Sequence, residues 1–477
     1  MKKILVFGLA RTGISALKTL KLKGYDLGAI DDNIDEEKTK ILNELDVQIE
    51  TIDNIGKYDI ILKSPGIRMD NPVILKANEL NIEVVSDLEL AQRIFEDIKI
   101  VAITGTNGKT TTTSLMTKML NDSGRKAISI GNIGVGMLWE IYNSDKDTYF
   151  VIECSSFQLE STKNFKPQYS CIINITPDHI DWHGSMQNYV NAKMNVLKNQ
   201  DHNCYTVLNV DDEYYEECKN FTKSNVYDVS TSTDVKKGSF IKDDSIYFSD
   251  SDCNKIIDLK DVKLIGYHNY QNVLFCVTLA KLIGINDDSI RQTLMSFSGV
   301  EHRLEFVREL SGVKYYNDSK GTNVDASVKA IESFDKNVII LAGGYDKKVS
   351  LDNFFIAGKN KFKALILMGQ TRELFEKKAR EYGFENIFLV DDMKQAITQA
   401  NKIAQRGDVV LLSPASASWG MYNNYEERGN EFKELVKNLR GKKHETFKRW
   451  ERYLVYNNFP DNFWNNYGIK LKLANGS

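Results

Sequence analysis

The sequence lacks the features that mark secreted, membrane-spanning and nucleic-acid-binding proteins. No apolar run is long enough to cross a bilayer, and the short apolar start at residues 4–10 runs into Arg11, so no signal peptide is expected. The formal net charge is only -3 over 477 residues, which does not support binding to nucleic acid or to a membrane surface. These absences favour a cytoplasmic protein with no nucleic-acid partner and no membrane insertion.

The cysteines also exclude some classes of protein. There are six of them, with no CxxC pair and no metal-ligand spacing: Cys154, Cys171, Cys204, Cys218, Cys253 and Cys276. In a chain of this length we expect reduced, mostly buried thiols rather than a disulfide framework or a zinc site.

Short apolar runs alternate with amphipathic stretches along most of the chain. This rhythm predicts an α/β protein with three Rossmann-like or P-loop-type parallel-sheet domains in series. Residues 204–262 carry short polar-flanked strands and no good helix, so a small β-rich annex is expected in the central domain. The predicted domains are residues 1–93, 94–299 and 300–440, followed by an aromatic-rich extension at 441–477. Its aromatic side chains recur at helical spacing, which is typical of a packing face against the protein itself or against a partner.

The strongest motif is the stretch from Thr104 to Thr111, read Thr-Gly-Thr-Asn-Gly-Lys-Thr-Thr. It lies between a predicted strand and a predicted helix, an arrangement that cradles phosphate with backbone N–H groups and a helix N-terminus. Lys109 would add a positive charge, and the Thr110 hydroxyl could hold Mg²⁺. Ile103 occupies the place of the first glycine in the general P-loop pattern, which indicates a particular nucleotide-using family.

A weaker glycine motif, Gly8 to Gly13, follows the first predicted strand, and Asp31 and Asp32 follow the second. The turn resembles a dinucleotide-binding fingerprint with Ala10 in place of its second glycine. It predicts either a tight βα turn or a site for a nucleotide or its sugar diphosphate.

Two further side chains follow apolar strands. Glu153 is either a carboxylate ligand of a second metal ion or a helix-capping acid, and His179 is either a metal ligand or structural. Asp181 and His183 are expected to serve local structure. Lys193 lies in a predicted amphipathic helix, and nothing in its surroundings sets it apart from a solvated lysine.

Taken together, these stretches resemble the Mur ligases of peptidoglycan synthesis, and among them the branch that adds D-glutamate. The resemblance covers about residues 1–440 and rests on motifs in family order: Gly105–Thr111, Gly131–Gly134, Ser155–Glu160, His268–Asn272, Glu301–Arg303, Tyr316–Asn323 and Leu412–Ser418. The phosphate loop alone marks a wider superfamily that includes folylpolyglutamate synthases.

The resemblance implies a set of site residues. The catalytic residues would be Lys109, Glu153, His179 and Lys193, with Lys193 carbamylated. The ATP site would comprise Gly105, Thr106, Asn107, Gly108, Lys109, Thr110, Thr111, Asn269, Asn272, Arg303 and Asp318. The UDP-substrate site would comprise Arg11, Thr12, Asp31, Asp32, Ser64 and Asn132. The D-glutamate pocket would comprise Lys320, Thr322, Lys347, Ser418 and Tyr425, with Lys348 as an alternative to Lys347 and Tyr425 where the family usually has Phe.

The resemblance also implies the chemistry. ATP and two Mg²⁺ ions, held by Thr110, Glu153, His179 and carbamylated Lys193, would drive addition of D-glutamate to UDP-N-acetylmuramoyl-L-alanine through an acyl phosphate. The protein would act as a monomer. The alternatives are a sister Mur ligase, a folylpolyglutamate synthase, and a non-catalytic nucleotide-binding regulator.

Overall fold

A computed structural model describes residues 2–132, 136–264, 266–345 and 350–440. The chain divides into two compact units, one with the described residues up to Val300 and the other with those from Glu301 onward. No helix among the described residues is both long and apolar enough to span a membrane.

The N-terminal sheet belongs to the first unit and is parallel throughout its described strands. Its order is β3-β2-β1-β4-β5, with β1 at Lys3–Phe7, β2 at Asp26–Ile30, β3 at Gln48–Ile49, β4 at Ile60–Lys63 and β5 at Glu83–Val85. The helices are α1 (Arg11–Leu22), α2 (Glu36–Glu44), α3 (Pro72–Glu79) and α4 (Asp87–Ile94), with a 3-10 helix at Ile52–Lys57. Strand β1 is apolar at every position after Lys3 because both faces of the sheet are covered.

The central sheet completes the first unit. Its order is β14-β13-β12-β11-β10-β9-β6-β8-β7. The strands are β6 (Lys99–Thr104), β7 (Ala127–Gly131), β8 (Tyr149–Glu153), β9 (Tyr169–Ile172), β10 (Tyr205–Asn209), β11 (Asn225–Ser230), β12 (Gly238–Lys242), β13 (Ser245–Ser249) and β14 (Cys253–Asp258). The helices are α5 (Lys109–Asp122), α6 (Met137–Tyr142), α7 (Ser156–Leu159), α8 (Ile180–His183), α9 (Met186–Met194), α10 (Tyr215–Phe221), α11 (Tyr267–Ile283) and α12 (Asp287–Ser296), with a 3-10 helix at Leu259–Asp261.

The β-rich annex extends the central sheet at one edge. Strands β10, β11 and β12 pair in parallel, and only β13 and β14 add antiparallel partners. The expectation that this stretch has no good helix is wrong, because α10 connects β10 to β11. A parallel connection requires such a crossover, whereas a hairpin does not.

One hydrophobic core joins the two sheets of the first unit. It contains Leu17 and Leu88 from the helices of the N-terminal sheet together with Leu138 and Ile152 from the central sheet. Helix α1 also packs on α6. Burial of these side chains on a common core explains why the two sheets form one compact unit.

The second unit contains the C-terminal sheet. Its order is β15-β16-β20-β17-β18-β19, with β15 at Glu305–Leu310, β16 at Val313–Asn317, β17 at Val338–Ala342, β18 at Phe362–Leu367, β19 at Ile387–Leu389 and β20 at Val409–Leu412. Only β15 pairs in the antiparallel sense in this part of the described chain. The helices are α13 (Val324–Glu332), α14 (Asp352–Gly358), α15 (Arg372–Glu381), α16 (Met393–Ile403) and α17 (Tyr425–Asn438). The predicted fold class, three parallel-dominated sheets in series, is therefore confirmed.

Candidate active site

The phosphate loop connects the end of β6 to the start of α5. Gly105 has a φ of +153° and Gly108 a φ of +84°, backbone conformations that side chains rarely adopt. A Cβ on Gly108 would also lie only 2.2 Å from Oδ1 of Asn272. Ile103 occupies the place of the usual first glycine. It is fully buried and still part of β6, so the loop begins only after it.

Asn174, which follows β9, accepts two hydrogen bonds from the loop. Its carbonyl accepts the Thr106 N–H at 2.8 Å, and its Oδ1 accepts the Asn107 N–H at 2.8 Å. The loop conformation is thus set by contacts inside the protein, and the N-terminus of α5 is preorganised to receive an anion.

Two lysines donate to one carbonyl of this loop. Nζ of Lys193 lies 2.7 Å from the Gly105 oxygen, and Nζ of Lys109 lies 2.9 Å from the same atom. Lys193 is buried, 4.6 Å from the centre of the Tyr189 ring. Burial, reinforced by the positive charge of Lys109, holds the pKa of Lys193 well below its usual value. The solvated lysine considered as an alternative is therefore wrong.

Glu153 ends β8, in register with Ile103 of β6 and Gly131 of β7. Its Oε1 accepts a hydrogen bond of 3.0 Å from Nδ2 of Asn132. Within the described residues, its buried Oε2 has no hydrogen-bond partner. The alternative role as a helix-capping acid is not observed, since Ser155 caps α7.

His179 immediately precedes the short helix α8, and His183 is its last residue. The two histidines differ in burial. His179 has a φ of +53°, and its ring lies 4.8 Å from that of Phe157. His183 is buried, with Nε2 3.1 Å from Oγ of Ser156, and burial lowers its pKa. The ring of Tyr189 lies 6.3 Å from His179 and 5.4 Å from His183. The structural role expected for His183 fits these contacts.

Groups near the loop can be tested as magnesium ligands. The unpartnered Glu153 Oε2 and the hydroxyl of Thr110 are oxygen donors of the kind Mg²⁺ prefers. Among the described residues, no cluster of three or more His, Cys, Asp and Glu side chains could hold a metal ion. Lys193 is a hydrogen-bond donor here, and only carbamylation would turn it into an anionic oxygen ligand. Glu153 and Thr110 therefore supply oxygen donors of the type that suits Mg²⁺.

Asn269 and Asn272 lie in the first part of α11, and both are buried. Nδ2 of Asn272 donates to Oδ1 of Asn269 at 3.2 Å, and the same amide packs against Gly108. The structure thus brings both asparagines to the phosphate loop.

A second group of predicted residues meets at the carboxyl edge of the N-terminal sheet. Chain order reverses there between β1 and β4, and such a switch point is where open α/β sheets bind ligands. Oγ of Ser64 donates to the Gly8 carbonyl at 2.9 Å, and a Cβ on Gly8 would lie 2.7 Å from Ser64. Thr12 lies in the first turn of α1, while the side chain of Arg11 lies outside the described part of the structure.

The two neighbouring aspartates at this edge differ. Asp31 accepts the backbone N–H of Leu9 and, at 2.8 Å, that of Asn33, and its Oδ1 lies 3.3 Å from Nζ of Lys38. Burial alone would raise the pKa of Asp31, but these hydrogen bonds outweigh it and lower the pKa. Asp32 is exposed. Asp31 therefore holds the turn, while Asp32 is open to solvent.

The second unit places Asp318 just beyond the end of β16. It is buried, with Oδ2 2.7 Å from Oγ of Ser413 and Oδ1 accepting the Leu304 N–H at 3.1 Å. Burial raises the pKa of Asp318 to about 7 despite these hydrogen bonds and the nearby charge of Arg303.

The described residues among those predicted for the D-glutamate pocket lie on two loops and one helix of the second unit. Nζ of Lys320 lies 5.7 Å from the centre of the Tyr425 ring, and Ser418 is buried. Thr322 is partly buried on the same loop as Lys320. Lys347 and its alternative Lys348 fall outside the described residues.

Sequence reasoning missed three residues that support these sites: Asn174, Tyr189 and Arg428. The Tyr189 hydroxyl lies 3.0 Å from Oγ1 of Thr106, and its ring faces Lys193. Its position four residues before Lys193, on the same helix face, was a usable signal. Asn174 and Arg428 act over long sequence separations, which leave no such signal.

Comparison with known proteins decides the family. Residues 2–86 match the MurD-like N-terminal domain of Mur ligases, residues 103–280 the Mur ligase middle domain, and residues 302–416 the Mur ligase glutamate ligase domain. The chain belongs to the Mur ligase family. The predicted family and its ligase class are thereby confirmed.

Mur ligases from several bacteria are similar over nearly their whole length. A UDP-N-acetylmuramoylalanine--D-glutamate ligase of Thermoanaerobacter sp. (strain X514) is 43% identical over 454 residues, which are 92% of this chain and 99% of the relative. An enzyme of the same name from Clostridioides difficile (strain 630) is 40% identical, again over 92% and 99% of the two chains.

Solved structures of the family share the fold. A MurF of Acinetobacter baumannii gives a TM-score of 0.56 at 15% identity, covering 91% of this chain and 90% of its own. A MurF ligase of Thermotoga maritima, solved in complex with ADP, gives a TM-score of 0.54 at 17% identity, covering 91% and 95%. At such identities the likeness establishes the architecture alone.

Proposed function

We propose that this Mur ligase uses ATP to join D-glutamate to UDP-N-acetylmuramoyl-L-alanine, a step of peptidoglycan precursor synthesis. The observation that carries the proposal is similarity at 40–43% identity, over 92% of the chain, to enzymes named for this reaction. The structure supports the proposal through its preorganised phosphate loop, on which Lys109 and Lys193 converge.

ATP would bind with its phosphates on the loop from Gly105 to Thr111. The backbone N–H groups at the start of α5 and the cation of Lys109 would offset phosphate charge as it develops in the reaction. Asn269 and Asn272 would contact the adenine side, and Arg303 and Asp318 the phosphates and ribose.

Magnesium would be held at two sites, one at Thr110 and one at Glu153, His179 and Lys193. When bound, the ions would supply positive charge that lowers the repulsion between the phosphates and an attacking carboxylate. The orphaned Oε2 of Glu153 supports this assignment.

Carbamylation of Lys193 would complete the second site. The neutral amine would add to CO2 and release a proton to give the carbamate, and the burial that lowers the pKa of Lys193 favours the neutral amine. Loss of the amine's positive charge would also relieve its repulsion from Lys109.

The reaction would proceed in two steps. The alanine carboxylate of the UDP-substrate attacks the γ-phosphorus of ATP, forming an acyl phosphate and releasing ADP. The neutral amine of D-glutamate then attacks the acyl carbon through a tetrahedral intermediate, phosphate leaves, and the amine gives up a proton. Lys109, whose Nζ lies 2.9 Å from the Gly105 carbonyl of the phosphate loop, would stabilise charge on the transferred phosphoryl group.

The substrates would occupy the remaining sites. Lys320, Thr322, Lys347, Ser418 and Tyr425 would hold D-glutamate, whose two carboxylates call for cationic and hydroxyl donors. Arg11, Thr12, Asp31, Asp32, Ser64 and Asn132 would hold the UDP-substrate.

Each predicted domain takes one of these roles. We assign residues 1–93 to the UDP-substrate, 94–299 to ATP and 300–440 to D-glutamate, with 441–477 as an extension available to a partner. We propose a monomer in the cytoplasm, where ATP and nucleotide-sugar precursors are made.

A specificity assay tests the proposal. The purified protein is supplied with ATP, Mg²⁺ and UDP-N-acetylmuramoyl-L-alanine, and phosphate release is followed with D-glutamate, L-glutamate, L-alanine, L-lysine and meso-diaminopimelate in turn. We expect turnover with D-glutamate alone and a product heavier by one glutamyl residue. Turnover only with another amino acid, or only with a folate acceptor, would contradict the proposal in favour of a sister ligase or a folylpolyglutamate synthase. Absence of ATP-dependent phosphate release with every pair would favour a non-catalytic regulator.

A further inference from the structure

Arg428 is a buried cation next to the proposed amino-acid pocket that the reaction scheme does not use. It lies in the first turns of α17, three residues after Tyr425, and only 2% of its surface is exposed. Burial lowers its pKa to about 10, so the guanidinium still carries its charge at neutral pH. Burying a charged group is unfavourable unless its hydrogen bonds are made, so the guanidinium of Arg428 depends on its hydrogen-bond partners.

Its hydrogen-bond partners belong to two loops. Nε donates to Oγ of Ser319 at 2.9 Å, and Nη2 donates to the Ser319 carbonyl at 2.8 Å. Nη1 donates to the Ser416 carbonyl at 3.2 Å. Ser319 Oγ in turn donates to the Tyr425 carbonyl at 2.8 Å, which ties the first loop to the start of α17.

These loops carry most of the proposed pocket. The first, residues 318–322, follows β16 and includes Lys320 and Thr322. The second, residues 413–418, follows the neighbouring strand β20 and includes Ser418. The guanidinium therefore joins the two loops just beyond the ends of the adjacent strands β16 and β20, where the residues of the proposed pocket lie.

The charged surroundings of Arg428 are sparse. Asp318 and Tyr422 are the titratable groups that act on it electrostatically. Within the part of the chain that the structure describes, no carboxylate forms an ion pair with it, and it donates to the neutral oxygens of Ser319 and Ser416. Arg428 thus acts as a rigid three-donor fork to two backbone carbonyls and one hydroxyl, a geometry that lysine cannot reproduce.

We propose that Arg428 is a positioning residue of the amino-acid pocket, which fixes the loop of Lys320 and Thr322 against the loop of Ser418. The spacing between the donor groups of the two loops then matches the spacing of the two carboxylates of the amino-acid substrate. This inference rests on the proposed function.

Kinetics of Arg428→Lys and Arg428→Met test it. We expect the KM for D-glutamate to rise by about tenfold or more in both variants, because buried carbonyls lose their donors and the loops separate. The KM for the UDP-substrate should stay within about twofold, since that substrate would bind to the first unit. Arg308→Gln is the matched control: Arg308 donates to the carbonyls of Val436 and Lys437 near the other end of α17, and its loss should leave the KM for D-glutamate unchanged.

Ser319→Ala keeps the test decisive if the arginine variants do not fold. It removes the acceptor of Nε and the link to Tyr425, and should raise the KM for D-glutamate several-fold in a folded protein. A KM for D-glutamate within about twofold of wild type, with only kcat or thermal stability reduced, would overturn the inference. Failure of the wild-type protein to use D-glutamate would instead overturn the proposed function, before any variant is compared.

Discussion

The side chain of Lys193 donates a hydrogen bond of 2.7 Å to the carbonyl of Gly105, a residue 88 positions earlier in the chain. The contact joins helix α9 to the phosphate loop and places a buried amine beside the proposed ATP site. Lys109 donates to the same carbonyl, so two amine side chains meet at one atom of the loop. This convergence supports the proposal that both lysines act in catalysis.

Replacement of Lys193 tests the carbamate. Lys193→Ala should abolish phosphate release, because both the anionic ligand and the contact to Gly105 are lost. A short carboxylic acid such as acetate should restore part of the activity by supplying a carboxylate in the space left. The exposed Lys198, five residues on, gives the matched control, and Lys198→Ala should keep wild-type activity. Full activity of Lys193→Ala would refute the assignment.

The phosphate loop can be tested with a pair of glycines that have nearly equal φ angles. Gly108 has a φ of +84° and would place a Cβ 2.2 Å from Asn272, whereas Gly124 has a φ of +82° with no heavy atom within 4 Å of a Cβ. Gly108→Ala should weaken ATP binding by about tenfold or more, because the loop must move away from Asn272. Gly124→Ala should lower stability by about 1 kcal/mol and leave ATP affinity unchanged. Calorimetric titration measures the ATP affinity of both variants. Equal affinities in the two variants would contradict the role of the loop.

The buried carboxyl of Asp318 predicts a pH dependence of stability. Its pKa rises from 3.8 to about 7 on folding, so between these pH values the folded protein holds a proton that the unfolded chain has lost. The stabilisation is therefore complete below about pH 4 and is lost as the pH rises through about 7, by a few kcal/mol. Asp318→Asn should remove this contribution, and the wild-type-minus-variant difference in urea midpoint between pH 5 and pH 8 measures it. Glu332→Gln, at an exposed carboxylate of the same unit, serves as the control. Parallel pH profiles for wild type and Asp318→Asn would be incompatible with the prediction.

The adjacent aspartates of the N-terminal sheet should separate structure from binding. Asp31→Ala removes the acceptor for the N–H groups of Leu9 and Asn33 and should lower both thermal stability and affinity for the UDP-substrate. Asp32→Ala should raise the KM for the UDP-substrate and leave the melting temperature within about 1 °C, since Asp32 is exposed. Differential scanning calorimetry and steady-state kinetics check the pair. The roles are wrongly assigned if the stability loss falls on Asp32→Ala instead.

Local patterns in the sequence were enough to predict much of the fold. Apolar runs such as those of β6 and β8 have the length and flanking turns of buried strands, so their positions could be read from the chain itself. The phosphate loop could be predicted for the same reason, because its glycines and Lys109 lie within a few residues of one another. The helix α10 was missed, since a seven-residue helix carries too little periodicity to stand out among polar strands.

The sequence by itself determined the three-sheet architecture, the family and the position of the phosphate loop, since each depends on short-range order along the chain. Only the tertiary structure decided that Asn174 fixes the phosphate loop, that Asp31 supports a turn while Asp32 faces solvent, and that Arg428 joins two loops. These contacts link groups on separate strands and helices, in places more than 100 residues apart. Side-chain direction and burial, which decide such contacts, are fixed by packing and not by spacing in the chain.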